Sequence, residues 1–159
     1  MNLWEREMAP YEPALEQLAP PARLALAVQA LDWSYTTMRA PIEDPEALAW
    51  LAGARTAAQA AVERGDSHVT LTPQTREEFE ELDESVEEYG VAQYMTGYMA
   101  CADFETLSTE TVANVLYICY EFAAQREDPE PETIEAQQDN ARCREVIAFH
   151  KDLIDRATR

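Results

Sequence analysis

Proline stands at the head of three long apolar-periodic segments of this chain and in the interior of none: Pro20 with Pro21, Pro45 and Pro73 each open a run whose apolar residues recur every three or four positions. The pyrrolidine ring removes a backbone donor and fixes φ, so proline is tolerated in the first turn of a helix and breaks one further in. Asp44 before Pro45 and Thr72 before Pro73 supply the oxygen that caps such a first turn. This punctuation, with only four glycines to interrupt the runs, points to an all-α fold.

The segments follow from the punctuation. After a proline-broken N-terminal piece carrying Leu15 and Leu18, a helix from Pro20 lays Leu24, Ala27, Val28, Leu31, Tyr35 and Met38 on one face and ends before Pro41. The next runs from Pro45 to Gly65 with Leu48, Leu51, Ala52 and Val62 inward. From Thr72, the residues Phe79, Leu82, Val86 and Tyr89 form one stripe up to Gly90, a bend or break, after which Val91, Tyr94, Met95, Tyr98, Met99 and Ala102 form another. Ser108 or Thr109 caps a helix expected to be central, with Val112, Val115, Leu116, Cys119, Tyr120 and Ala123 inward.

An acidic linker at 126–132 precedes a final long helix from about Glu132, whose inner face is Cys143, Val146, Ile147, His150, Leu153 and Ile154. The stretch 67–71 is too short and isolated to count as a strand and reads as a loop. No repeat and no second core divide the chain, so residues 1–159 are expected to form a single-domain bundle of about six or seven helices.

Hydrophobic residues make up 47% of the chain and charged residues 27%, enough apolar material for a core. The formal charge of −19 repels nucleic acid phosphates and anionic lipid headgroups and attracts basic proteins, so neither nucleic acid nor membrane is an expected partner. The N-terminus lacks the basic and apolar regions of a secretory signal, and no apolar stretch has membrane-spanning length. Cys101, Cys119 and Cys143 are odd in number, show no CxxC spacing and lie in apolar stretches, as reduced core residues do. A cytoplasmic location is expected.

Catalytic constellations are missing from the sequence. A carboxylate-bridged metal site in a helical bundle uses Glu-x-x-His on each of two helices, whereas His150 follows Glu145 by five residues and His68 stands alone. The cysteines lie on apolar stripes, away from the exposed electropositive setting a thiolate nucleophile requires. There is no phosphate-cradling glycine loop, GxSxG elbow or HExxH. No catalytic residue, metal ligand or cofactor site is therefore assigned, and function by binding is the expectation.

The sharpest feature is acidic. Glu77, Glu78, Glu80, Glu81, Asp83, Glu84, Glu87 and Glu88 fall within twelve residues, opposed only by Arg76, and at about 100° per residue they lie opposite Phe79, Leu82 and Val86. Many such runs are only solvated faces. Yet like charges four apart, Glu77 with Glu81, Glu80 with Glu84 and Glu84 with Glu88, each destabilise a helix by about 0.2–0.5 kcal/mol, and no lysine ladder offsets them. The omission favours an electrostatic binding face, extended by Asp128, Glu130 and Glu132 of the linker. Trp4, Trp33 and Trp50 are the candidate aromatic anchors beside it, the latter two also suiting the core.

The segments PARLALAVQALDW at 21–33 and DPEALAWLAGA at 44–54, with the alanine-rich continuation to Gly65, resemble the N-terminal half of helical immunity proteins of bacterial polymorphic toxin systems. Arg23, Leu24, Ala25 and Leu26 match an arginine-led helix, and Pro45, Glu46, Ala47 and Leu48 a proline-led one. The resemblance implies a small cytoplasmic protein that neutralises a cognate toxin, often a basic one acting on nucleic acid. An acidic nucleic-acid mimic or regulatory adaptor is the alternative, and a helical-bundle enzyme or small-ligand binder a more distant one.

Overall fold

The computed structural model describes residues 1–159. It contains α1 (Leu3–Met8), a 3-10 segment (Ala9–Gln17), α2 (Pro20–Thr37), α3 (Pro45–Arg64), α4 (Pro73–Ser85), α5 (Val91–Ala102), α6 (Thr109–Gln125), α7 (Ile134–Asp139) and α8 (Ala141–Ala157), with no strand. The expected caps form: Asp44, Thr72 and Ser108 each accept from the backbone N–H three residues on, and Gly65 closes α3 in the left-handed region at φ +74°. Residues 67–71 are non-helical, tied down where Val69 N donates to the Cys101 carbonyl.

There are eight helices where six or seven were expected, for two reasons. The N-terminal piece contains a helix, closed by a capping box in which the Asn2 side chain accepts from Glu5 N while the Glu5 carboxylate accepts from Asn2 N. The long C-terminal helix is interrupted at Asn140, whose extended backbone ends α7 and whose side chain caps α8. Buried Gln137 holds that break in place, its Oε1 accepting from Leu3 N at 3.0 Å and from the Tyr120 hydroxyl at 2.8 Å.

Helix α6 is central, packing on α2, α5 and α8. One continuous hydrophobic cluster of 42 buried residues joins the helices and includes Leu15 and Leu18. At Gly97 the helices α5 and α2 approach so closely that a Cβ would stand 2.7 Å from Leu31 Cδ2. Ala52, expected inward, is exposed, because alanine-rich α3 shows Ala47, Leu51, Ala54, Ala58 and Ala61 to the core instead.

Candidate protein-binding surface

Helix α4 is fastened to α3 along one side. Leu82 is buried, Phe79 lies 5.5 Å from Trp50 between ring centroids, and Trp50 Nε1 donates to the Thr75 carbonyl at 2.9 Å. That attachment fixes the other side of α4 toward solvent. Glu77, Glu78, Glu80, Glu81, Asp83 and Glu84 are all exposed there, as is Glu87 just beyond the helix.

None of these seven carboxylates pairs with a basic side chain of the chain. The one cation of the helix turns away from them: Arg76 Nη1 donates to Asp103 Oδ1 at 2.8 Å and Nη2 to the Ala102 carbonyl at 2.9 Å, at the C-terminal end of α5. Between α3 and α4 an open groove of about 490 Å³ has Trp50, Ala49 and Leu82 in its walls and Glu46, Glu78 and Glu81 at its rim.

Glu88 does not belong to this face. Helix α4 ends at Ser85, with Val86 in extended conformation, so Glu88 no longer stacks on Glu84. Its Oε1 accepts from Glu43 N at 2.9 Å and Asp44 N at 3.0 Å, at the start of α3, where the helix dipole favours a negative charge. Its Oε2 accepts from Arg126 Nη1 at 3.2 Å, while the rest of that guanidinium binds the carbonyls of Ala40 and Pro41 at 2.7 and 2.8 Å. Glu88 is a structural clasp between the α2–α3 loop, the α4–α5 junction and α6.

The early end of α4 also turns Tyr89 outward from its expected place on the apolar stripe; it is 59% exposed. Its hydroxyl donates to Glu130 Oε1 at 3.2 Å, which brings the α6–α7 linker to the C-terminal end of the acidic segment. Partial desolvation, then the carboxylates of Glu130, Glu121 and Glu132, raise the pKa of this phenol. Asp128 and Glu132 are exposed and Glu130 is half-buried.

The tryptophans are mostly packed into the fold. Trp4 and Trp50 are buried, and Trp33 stacks on Phe149 at 4.1 Å with the Arg142 guanidinium 5.0 Å from its ring. The large exposed aromatics are Tyr89 and Phe104, the latter 53% exposed beside Asp103, the residue Arg76 binds. They mark the two ends of the acidic helix. No sequence signal singles out Phe104, since only the loop geometry after α5 leaves it uncovered.

Of the histidine and cysteine candidates, His150 is buried and its Nδ1 accepts from Trp4 Nε1. All three cysteines are buried and unpaired, and burial raises the thiols of Cys101 and Cys119 to about 12. No group of three or more His, Cys, Asp or Glu side chains is arranged to hold a metal ion. No helix is long and apolar enough to cross a membrane. No protein family, curated protein or solved structure matches this chain.

Proposed function

We propose that this chain is a cytoplasmic binding protein, acting without catalysis, whose α4 face docks a basic protein, in the role of an immunity protein that neutralises a nuclease-like toxin. The observation that carries this reading is the orientation of Arg76. The cation best placed to neutralise Glu77, Glu80 and their neighbours is engaged at Asp103 and Ala102 instead, leaving seven exposed carboxylates without a basic partner.

Unneutralised acids of this density raise encounter rates with a basic partner, and they recognise arginine and lysine by charge-assisted hydrogen bonds. Tightness requires desolvated anchors as well, a part that Tyr89 and Phe104 suit at the two ends of the helix. Glu130 and Glu132, brought to Tyr89, extend the field past the helix end.

The test is co-expression with the product of the adjacent gene. The native chain should form a complex that Glu80→Lys, Glu81→Lys, Glu84→Lys and Glu87→Lys together abolish, with helicity and melting temperature retained. A complex that survives the fourfold reversal would remove α4 from the interface.

A further inference from the structure

A second surface feature is a groove whose charged lining is mostly basic. It runs between α1 and α8 beside the end of α7, measures about 440 Å³ and is open to solvent. Three of the twelve basic residues, Arg6, Arg144 and Lys151, line it, against one of the thirty-one acidic residues, Glu7. Its apolar part is Leu3, Ile147 and Ala148.

Glu7 divides its carboxylate between two of the cations, Lys151 Nζ at 3.1 Å and Arg6 Nε at 3.7 Å. Arg144 has no carboxylate partner; its Nη1 donates to the Gln138 carbonyl at 2.6 Å, and the side chain is exposed. A guanidinium fork free on one edge takes a carboxylate in two parallel hydrogen bonds, and the arginine and lysine stems add apolar surface to the groove. In a molecule of net charge −19, a lining with three cations and one carboxylate is a local excess of positive charge.

We propose that this groove docks an acidic, amphipathic peptide segment of a partner protein. Its carboxylates sit on Arg144 and, in competition with Glu7, on Lys151 and Arg6, while its apolar side chains lie on Ile147 and Ala148. A second copy of this chain and an extended anionic bilayer are poor occupants, because each brings many negative charges against a body of charge −19, whereas a short segment brings only the few carboxylates that meet the cations of the groove. The site is independent of the α4 face.

The experiment titrates the full chain with a short acetylated and amidated peptide of leucine and glutamate at helical spacing, followed by backbone amide chemical shifts. Shifts should map to residues 3–7 and 144–151, and the same peptide with glutamine for glutamate should cause none. Arg144→Gln should weaken binding about tenfold or more, the loss expected for one charge-assisted contact, whereas Glu7→Gln should tighten it by freeing Lys151 and Arg6. Opposite effects from two neutralisations in one groove do not arise from loss of structure, and Lys151→Gln repeats the test should either variant unfold. The proposal is overturned if the acidic peptide causes no shifts, if Arg144→Gln leaves its affinity unchanged, or if phosphatidylserine vesicles bind through Arg144 while the peptide does not.

Discussion

Trp4 Nε1 donates to His150 Nδ1 across 3.0 Å, so the first helix fixes the tautomer of a histidine on the last. With Nδ1 accepting, the hydrogen of the neutral ring resides on Nε2, which is buried without a partner. Burial, and then the charge of Arg142, lower the His150 pKa to about 3. The unfolded chain takes up a proton near pH 6.5, whereas the folded one does so only near pH 3, so this contribution to stability is complete above 6.5 and is lost as pH falls between those values. Between pH 7 and pH 5 the loss is about 2 kcal/mol. Denaturant titrations of the wild type and His150→Asn should show it: the wild type should lose that much more than the variant, and parallel pH profiles would contradict the assignment.

Glu88 and Glu81, both acidic and seven residues apart, should behave oppositely. Glu88 satisfies two backbone donors and Arg126, so Glu88→Ala leaves a guanidinium and the start of α3 without their acceptor. A cost of about 2 kcal/mol is expected, in line with hydrogen bonds to charged groups. Glu81→Ala removes only a solvated carboxylate that repels Glu77, and should be neutral or slightly stabilising. Urea unfolding of the two variants measures the difference, and equal destabilisation would place Glu88 back among the solvated acids.

Glycine substitutions separate the two halves of the chain in the same way. Gly90 has φ +78°, and a Cβ there would need only the end of the flexible Gln125 side chain to move, so Gly90→Ala should cost the roughly 1–2 kcal/mol of a left-handed residue. Gly53 sits inside α3 with open space where its Cβ would go, and Gly53→Ala should stabilise by about 0.5–1 kcal/mol. Thermal melts of the two variants should move in opposite directions.

What was legible in the sequence is what local chemistry decides. Helix starts at Pro45, Pro73 and Thr109 follow from Asp44, Thr72 and Ser108, each bonding to a backbone N–H three residues away. The early end of α4 was not legible, because Glu88 is drawn off by Asp44 and Arg126, 44 and 38 residues distant. The break at Asn140 depends likewise on Gln137 meeting Leu3 from the far end of the chain. The acids were therefore legible as a run, while the separation of Glu88 from the others, and the exposure of Tyr89 and Phe104, required the packed molecule.

Cysteine reactivity offers a direct check on packing. With Cys101, Cys119 and Cys143 all buried, and burial raising every one of the thiols, little thiolate exists in the folded protein at neutral pH. An aromatic disulfide reagent at pH 8 should leave the native chain unlabelled over minutes and modify all three cysteines in guanidinium chloride. Rapid native labelling of any one would mean that its helix opens.

The unneutralised face of α4 should itself be measurable as a penalty. Glu77 with Glu81 and Glu80 with Glu84 repel within one helix, and Arg76 offers no relief because it is held by Asp103. The Debye length shrinks from about 30 Å at 0.01 M salt to about 3 Å at 1 M, so added sodium chloride should raise the melting temperature. Changing Glu80 and Glu84 together to glutamine should raise it at low salt and reduce its rise with salt, since part of the repulsion is then gone before screening begins. If the double variant melts as the wild type does at every salt concentration, the carboxylates of α4 are already compensated, and the main argument for an external basic partner is lost.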